Sequence, residues 1–273
     1  MTDGSEVPET SRDRLSHRPI PRHPNAAVLF LRSLAFTLGM LPATLLFGTL
    51  APFTFPLPFN ARYRFITSWT RFNLWWLGCT CRLHYTVEGA DNLPQGGSAV
   101  ILSKHQSAWE TIAFQSIFPP QVWVIKRELL WLPFFGWGLA MLEPIAIDRK
   151  AGRRAREQLV EQGRRHLQAG RWVVVFPEGT RVAAGSKGRY GIGGALLASK
   201  TGRPVVPVAH NAGEFWPRRS FIKRPGTVRL VIGPAIDSRG LRAKEINRLA
   251  EHWIEDTCHA ISSVPEQTGN PDK

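Results

Sequence analysis

The chain has 273 residues and a formal net charge of +14, with 43% hydrophobic and 21% charged residues. This ordinary balance excludes a wholly disordered chain, a collagen-like fibre and a coiled coil. The excess of Lys and Arg instead indicates an anionic partner such as nucleic acid, lipid headgroups or a phosphorylated substrate. Three Cys residues are too few for a disulfide framework, and no Cys/His cluster predicts a metal site.

The N-terminal part of the chain combines a polar segment with a long apolar one. Residues 1–25 are rich in Arg, Pro and Ser, which predicts a disordered basic N-terminus. From Ser33 to Ala61 the sequence contains no Lys, Arg, Asp or Glu, and crossing a bilayer needs about 20 apolar residues. A Pro-rich segment should end this helix near Leu50. A second apolar stretch, Phe65–Cys81, follows, and we predict a membrane-associated helical hairpin over residues 26–81.

The charges that flank this hairpin indicate its orientation. Basic residues precede residue 26 and follow again from Arg82. Under the positive-inside rule, both ends then lie on the cytoplasmic side of the inner (cytoplasmic) membrane. The hairpin could cross the membrane twice or embed in one leaflet. The alternative, a buried helical pair of a soluble core, is disfavoured by the length of the uncharged stretch.

After residue 82, short apolar strands alternate with helical segments. This pattern predicts an α/β domain over residues 82–264, with a largely parallel or mixed sheet flanked by helices, and a polar tail over residues 265–273. The predicted strands are Leu83–Val87, Ala99–Leu102, Val122–Ile125, Ile145–Ile147, Trp172–Phe176, Val205–Val208 and Val228–Ile232. The predicted helices are Ala108–Ile117, Arg153–Ala169, Gly194–Thr201 and Ala243–Ile261.

The segment after the strand Ala99–Leu102 carries a candidate catalytic pair, His105 and Glu110. Ser107 and Glu110 have the spacing of a helix capping box, and His105 lies two residues before Ser107. Side chains in a first helical turn lean toward the N-terminus, so the Glu110 carboxylate can approach the His105 ring. A carboxylate on one imidazole nitrogen leaves the other nitrogen as a base for a hydroxyl proton. In the alternative, Glu110 only caps the helix and His105 is a polar turn residue.

The strand Trp172–Phe176 runs into a turn with anion-binding chemistry. Pro177 is followed by Glu178, Gly179, Thr180 and Arg181. Gly179 allows close backbone approach, and the Arg181 guanidinium can bind a phosphate through two hydrogen bonds. Glu178 can either hydrogen-bond a substrate hydroxyl or hold a basic residue. The alternative is a surface turn with an ion pair.

Two further strand ends supply candidate cations. Arg149 follows the strand Ile145–Ile147, and Lys126 follows the strand Val122–Ile125. Chemistry in open parallel sheets lies beyond the carboxyl ends of the strands. A base beside a cluster of cations at this edge therefore predicts a transfer onto the hydroxyl of a phosphorylated acceptor.

From Arg82 to Gly213 these blocks resemble, in order, the glycerolipid acyltransferase family, in particular its lysophosphatidate (1-acyl-sn-glycerol-3-phosphate) acyltransferases. The four matching motifs are His105 with Glu110, then Lys126–Pro133 with Gly136–Arg149, then Phe176–Arg181, and finally Val205–Val208. The chain departs from the family in two places. The family usually has Asp where this chain has Glu110, and it often has a basic residue where Tyr190–Gly194 has none.

The resemblance implies a mechanism and a set of site residues. His105, oriented by Glu110, takes the proton of the sn-2 hydroxyl of 1-acyl-sn-glycerol 3-phosphate. The oxygen attacks the thioester of acyl-CoA or acyl carrier protein, which gives phosphatidate for phospholipid biosynthesis, and backbone amides near the helix start after His105 are candidate oxyanion donors. The implied substrate-binding residues are Lys126, Arg149, Glu178, Gly179, Thr180 and Arg181. The resemblance implies membrane phospholipid as a partner, no metal or redox cofactor and no nucleic acid.

Two other functions stay open at this point. The chain could be a related O-acyltransferase that acts on glycerol 3-phosphate or a lyso-ornithine lipid. It could also be a non-catalytic basic membrane-associated binding protein, although this leaves the four motifs unexplained, and no helix-turn-helix, zinc-finger or RNA-recognition signature is present. Several aromatic residues could line an acyl tunnel, touch lipid or pack in the core. They are Trp109, Trp131, Phe134, Phe135 and Trp137.

Overall fold

A computed structural model of the protein describes residues 25–148 and 151–264. The segments for which the sequence predicts a disordered N-terminus and a polar tail therefore lie almost entirely outside the described residues. Within them, the chain forms an N-terminal pair of helices followed by a mixed α/β domain. This arrangement confirms the predicted fold class.

The hairpin consists of α1 (Ala26–Leu50) and α2 (Phe59–Cys81). Helix α1 ends where the Pro-rich segment predicts. Helix α2 begins earlier than the apolar stretch, because Pro58 stands at its N-cap with a φ of −56°, which suits a helix start. Indole hydrogen bonds join the two helices: Trp76 Nε1 donates to the Ala35 carbonyl at 3.1 Å, and Trp69 Nε1 donates to Thr44 Oγ1 at 3.0 Å.

The α/β domain is built on a 7-stranded sheet. Its strands are β1 (Leu83–Glu88), β2 (Val100–Ser103), β3 (Gln121–Lys126), β4 (Ile145–Ile147), β5 (Trp172–Val175), β6 (Val205–His210) and β7 (Gly226–Ile232). Their order across the sheet is β1-β7-β6-β2-β5-β3-β4. Neighbouring strands are parallel except β6 and β7, so β1 and β7 run opposite to the rest. Each predicted strand is present.

Helices cover both faces of this sheet. They are α3 (Trp109–Ile117), α4 (Phe135–Ala140), α5 (Arg153–Gln168), α6 (Gly193–Thr201), α7 (Ala212–Phe215) and α8 (Ala243–Ile261). The sequence predicts α3, α5, α6 and α8 to within a residue at each end. It does not predict α4 and α7, because helices of 6 and 4 residues are too short to show an apolar period.

The central strands are buried on both faces, which explains why they are continuous apolar runs in the sequence. On one face, Trp109 and Phe114 of α3 belong to a core cluster that also contains Ile101 of β2. On the other face, Leu197 of α6 and Ile254 of α8 pack in a second cluster. Helices on both faces thus fix the sheet and leave its carboxyl edge, beyond β2, β5 and β3, for the candidate site.

Helix α1 contacts the α/β domain near both of its ends. Near the N-terminal end, the rings of Phe30 and Phe221 lie 5.4 Å apart, and the Lys223 N–H donates to Ser33 Oγ at 2.9 Å. Near the other end, a Cβ on Gly48 would lie 2.5 Å from the Phe134 carbonyl oxygen, so the two backbones are in close contact. In the described part of the chain, one helical stretch, Ala26–Thr54, is long and apolar enough to cross a membrane, by length and composition.

Candidate active site

His105 and Glu110 meet at the carboxyl end of β2. The Nδ1 atom of His105 lies 2.8 Å from Glu110 Oε1. The same carboxylate oxygen accepts hydrogen bonds from the backbone N–H groups of Gln106 at 2.9 Å and Ser107 at 2.8 Å. The Glu110 side chain is fully buried. The local chain geometry thus holds a carboxylate against one ring nitrogen of the candidate base.

The start of α3 differs slightly from the predicted capping box. The helix begins at Trp109, and Ser107 Oγ accepts the Trp109 N–H at 3.1 Å rather than the Glu110 N–H. Of the two reciprocal hydrogen bonds that define a capping box, the one from the Ser107 N–H to the Glu110 carboxylate is present. The Glu110 side chain is long enough to make this bond and the bond to His105 at the same time.

The electrostatic surroundings of Glu110 keep it ionised. Burial alone would raise its pKa, but the neighbouring imidazoles of His210 and His105 and hydrogen bonds from His105 and the Ser107 N–H bring the pKa below its ordinary value. An ionised carboxylate can only accept, so His105 Nδ1 carries a hydrogen, and in the neutral ring Nε2 then has the lone pair. The imidazole also stacks on Phe176 with ring centroids 4.0 Å apart.

Glu178 takes the second of the two roles that the sequence leaves open, which is to hold a basic residue. Its Oε1 accepts from Lys104 Nζ at 2.9 Å and from the Gly188 N–H at 3.0 Å. Its Oε2 accepts the backbone N–H of His105 at 3.0 Å. The carboxylate has 0% exposure. Donors of the protein itself therefore enclose both carboxylate oxygens, and substrate binding by Glu178 stays a prediction.

The rest of the turn after β5 lies beside His105. Gly179 has a φ of +68° and its N–H bonds to the Phe176 carbonyl at 3.0 Å, while Thr180 is exposed. The Val182 N–H donates to the His105 carbonyl at 2.8 Å. The structure thereby brings the backbone of Arg181, the preceding residue, next to the candidate base.

Of the other two candidate cations, Lys126 lies farther along the same edge of the sheet. Lys126 ends β3, is half exposed, and its Nζ lies 3.4 Å from Glu128 Oε1. It stands in register with Ile147, the last residue of β4. Arg149 lies outside the described residues. Strand β3 is two positions from β2 in the sheet, roughly 10 Å away.

An apolar cavity of about 220 Å³ lies between the hairpin and the α/β domain. Its walls include Phe47 of α1, Ile66 of α2, Ile112 of α3 and Trp123 of β3, and Arg181 is the charged residue among those that line it. Trp123 contacts Phe176 with ring centroids 5.6 Å apart, and Phe176 stacks on His105. The cavity therefore lies two ring contacts from the candidate base.

The aromatic residues singled out in the sequence divide into three groups. Phe134 and Phe135 line the cavity. Trp131 and Trp137 are exposed on the surface, and Trp109 is buried in the core. The sequence does not distinguish these positions, because it does not show which aromatic side chains face the core, a cavity or the surface.

Backbone amides near the helix start are less available as oxyanion donors than the sequence suggests. The N–H of His105 bonds to Glu178, and those of Gln106 and Ser107 bond to Glu110. The N–H of Trp109 bonds to Ser107 Oγ. These four groups are therefore used in holding the site together. Among residues 25–148 and 151–264, no group of three or more His, Cys, Asp or Glu side chains could hold a metal ion.

Lys104, which stands directly before His105, is not among the site residues predicted from the sequence. Its side chain is 1% exposed, and its Nζ bonds to Glu178, to Glu255 and to the Ser186 carbonyl. Lysine is almost never buried unless it is paired. In the sequence, the position of this lysine after the apolar strand Ala99–Leu102 is the feature that could indicate a buried, paired side chain. Its partners lie too far along the chain to be identified from the sequence.

Comparisons with known proteins point to one family. Residues 84–211 match a family model described as Acyltransferase. A 1-acyl-sn-glycerol-3-phosphate acyltransferase from Pseudomonas aeruginosa is 44% identical over 252 residues, which cover 90% of this chain and 98% of that protein. The human 1-acyl-sn-glycerol-3-phosphate acyltransferase beta is 28% identical over 197 residues, 68% of this chain and 69% of that protein.

A solved structure has a similar fold. It is the crystal structure of the 1-acyl-sn-glycerophosphate acyltransferase PlsC from Thermotoga maritima. The TM-score is 0.72 at 22% sequence identity, and the match covers 87% of this chain and 97% of that chain. At this identity, the likeness shows that the two proteins share a fold.

Proposed function

The chain belongs to the acyltransferase family, and we propose that it transfers a fatty acyl group from a thioester donor to the sn-2 hydroxyl of 1-acyl-sn-glycerol 3-phosphate, which gives phosphatidate. The observation that carries this proposal is the contact between His105 Nδ1 and the buried Glu110 carboxylate, beside the turn that bears Arg181. A relative that is named for this activity, and that is 44% identical over 90% of this chain, supports the proposal.

The proposed mechanism uses the free nitrogen of His105. Glu110 accepts the Nδ1–H, so Nε2 takes the proton of the sn-2 hydroxyl as the hydroxyl oxygen attacks the thioester carbonyl. The tetrahedral intermediate then collapses and the carbon–sulfur bond breaks. The leaving thiolate receives the proton from the imidazolium, which regenerates the neutral base. No covalent acyl-enzyme is required.

The acceptor is proposed to bind between the turn after β5 and the apolar cavity. Arg181 binds the phosphate, with Lys126 and Arg149 as further cations, and the turn at Gly179 and Thr180 positions Arg181. The acyl chain of the acceptor occupies the cavity, since Arg181 lines this otherwise largely apolar space. The donor is acyl-CoA or acyl carrier protein.

The hairpin is proposed to embed in the cytoplasmic leaflet of the inner membrane rather than to cross it. Helix α1 has 25 residues, which makes it about 37 Å long. A spanning helix would carry one end to the far side of the bilayer, whereas Phe30, near one end of α1, and Gly48, near the other, both contact the same α/β domain. Exposed apolar side chains on the hairpin would contact lipid. They include Leu31, Leu38, Leu41, Leu46, Phe53 and Phe55.

The direct test is transfer by the full-length chain in detergent micelles, with lysophosphatidate and a long-chain acyl-CoA, measured as free thiol and as phosphatidate. H105A should abolish both products, because the substitution removes the base. Circular dichroism and thermal unfolding should match those of the wild-type chain. Full turnover by H105A would remove His105 from the mechanism.

An acceptor panel separates this proposal from its alternatives. Glycerol 3-phosphate lacks the chain that would fill the cavity, and a lyso-ornithine lipid lacks the phosphate that Arg181 would bind. We expect lysophosphatidate to give the highest kcat/KM of the three. A non-catalytic binding protein would release no thiol with any acceptor.

A further inference from the structure

A buried charge network lies directly behind the candidate base, and the acid–base steps described above do not use it. Lys104 Nζ donates to Glu178 Oε1 at 2.9 Å and to the Ser186 carbonyl at 2.9 Å. It also donates to both carboxylate oxygens of Glu255 on α8, at 2.8 and 3.0 Å. Glu255 in turn accepts a hydrogen bond from the Tyr190 hydroxyl at 2.7 Å. One ammonium group thus joins two carboxylates from distant parts of the chain.

This network reaches the main chain of His105. Glu178 Oε2 accepts the His105 N–H at 3.0 Å, and the His105 carbonyl accepts the Val182 N–H at 2.8 Å. The carbonyl of Lys104 accepts from His210 Nε2 at 3.0 Å. The peptide groups on both sides of His105 are therefore fixed, and one of the contacts is made by the carboxylate that Lys104 holds.

The charge of Lys104 is what makes an ionised Glu178 stable in this position. Burial holds the pKa of Glu178 above its ordinary value, and the charge of Glu255 adds to this, whereas the charge and hydrogen bond of Lys104 and the His105 N–H lower the pKa and limit the rise. A buried carboxylate without a cation is costly and takes up a proton instead. The titratable or charged groups that face Glu178 are Lys104, His105, Tyr190, Glu255 and Cys258.

We propose that Lys104 is a positioning residue for acyl transfer: anchored by Glu255, its ammonium group keeps the Glu178 carboxylate in the place where that carboxylate holds the backbone of His105. The inference rests on the proposed function, because it takes His105 as the base. It assigns Glu178, a residue of the third family motif, to the support of the base rather than to the substrate.

The first experiment compares K104M with the matched control K187M in the full-length chain. Lys187 also pairs with α8, through Glu251 at 2.8 Å, but its side chain is 55% exposed and it does not contact Glu178 through any described bond. K104M should lower kcat roughly 10- to 100-fold, since a base displaced by about 1 Å loses activity on that order. The KM for lysophosphatidate should not change, and K187M should keep the kcat of the wild-type chain.

The pH profile separates this role from a general loss of stability. Without Lys104, the pKa of Glu178 should rise further, and we therefore expect Glu178 to ionise only at a higher pH than in the wild-type chain. The acid limb of kcat in K104M should therefore move to higher pH. The double variant K104M/E178Q holds this side chain in a neutral form like that of protonated Glu178, so its kcat should stay low at high pH, where K104M recovers. A merely destabilised fold would lower kcat at every pH and would not move the acid limb.

Two results would overturn the proposal. One is a K104M chain with the kcat and acid limb of the wild type. The other is a folded K104M/E178Q chain that recovers kcat at high pH as K104M does, because the recovery would then not come from Glu178. If K104M does not fold, E178Q decides: a folded E178Q chain with a lowered kcat and an unchanged KM supports the proposal, and one with the kcat of the wild type overturns it.

An infrared titration gives a readout that does not depend on activity. We expect the band of a protonated carboxyl group at neutral pH in K104M, and its absence in the wild-type chain and in K104M/E178Q. Its absence in K104M would overturn the proposal. If the wild-type chain transferred no acyl group to any acceptor, the proposed function would fail, whereas the titration would still show whether Lys104 keeps Glu178 ionised.

Discussion

At the scale of single residues, the length of the Glu110 side chain matters as much as its charge. Its Oε1 bonds at once to His105 Nδ1 and to two backbone N–H groups at the start of α3. Relatives that have Asp at this position must reach the base with a side chain one methylene shorter. In this chain, the backbone around α3 is arranged for the longer residue.

We therefore predict that E110D, although it introduces the residue usual in the family, lowers kcat roughly 10- to 100-fold, because the carboxylate withdraws from His105 by about 1 Å. E110Q is the comparison variant, since it keeps the length and removes the charge. Steady-state kinetics with lysophosphatidate and a long-chain acyl-CoA would measure both. An E110D enzyme as fast as the wild type would show that α3 shifts easily and that the length of Glu110 is not limiting.

The candidate pair was accessible from the sequence because its contact is local. His105 and Glu110 are five positions apart, and the helix start between them has a recognisable capping pattern. Lys104 and its partners are different. Lys104 is 74 positions from Glu178 and 151 from Glu255, and nothing in a single sequence shows that these positions meet.

At the scale of elements, the difference between local patterns and contacts between distant positions explains which parts of the fold the sequence predicts. Strands such as β5 are buried on both faces and are therefore visible as short apolar runs, and α8 buries every fourth residue from Ile246 to Cys258. Helix α4 has no such pattern. Its position depends on contacts with α1 and with the turn Arg127–Trp131, which the local sequence does not specify.

Helix α4 also offers a way to test what the cavity holds. Gly138 lines the cavity, and a Cβ at this position would meet only the Cβ of Ala51, at 3.9 Å, so a larger side chain has space to enter. We predict that G138L shifts the preference of the enzyme toward lysophosphatidates with shorter acyl chains, because the leucine occupies volume that the chain would fill.

The measurement is the ratio of kcat/KM for a long-chain and a short-chain lysophosphatidate with one acyl-CoA donor. The same ratio is then measured for a long-chain and a short-chain acyl-CoA with one lysophosphatidate. G138A is the matched control and should keep the wild-type ratio, since a methyl group fits in ordinary contact. An equal loss with long and short chains in both series would mean that the cavity does not hold an acyl chain.

At the scale of the whole molecule, the hairpin and the α/β domain form one continuous structure around this cavity. The Glu143 carboxylate, before β4, pairs with Arg62 of α2 and with Arg171 at the start of β5. The Arg171 guanidinium lies 3.6 Å from the centroid of the Phe59 ring, at the start of α2. These contacts lie at the amino edge of the sheet, while α1 contacts Trp216 and Phe134 elsewhere on the domain. The hairpin is thus fixed to the domain at several separate points.

This attachment means that the membrane-facing surface need not be limited to the hairpin. Trp131, just before α4, is 73% exposed, and Leu132, Phe135 and Trp137 are exposed beside it. Helix α4 packs against α1, so these side chains extend the apolar surface of the hairpin. Tryptophan is favoured at the boundary between lipid and water, where its ring contacts lipid and its N–H stays hydrated.

We predict that W131E weakens the binding of the protein to vesicles of neutral phospholipid roughly 10- to 100-fold, since it removes about 1.5–3 kcal/mol of apolar burial. Q168E is the matched control, because it adds the same charge at an exposed position at the end of α5. Vesicle flotation would measure both, and kcat in detergent micelles should be unchanged in each. Equal flotation of W131E and Q168E would confine the membrane contact to the hairpin itself.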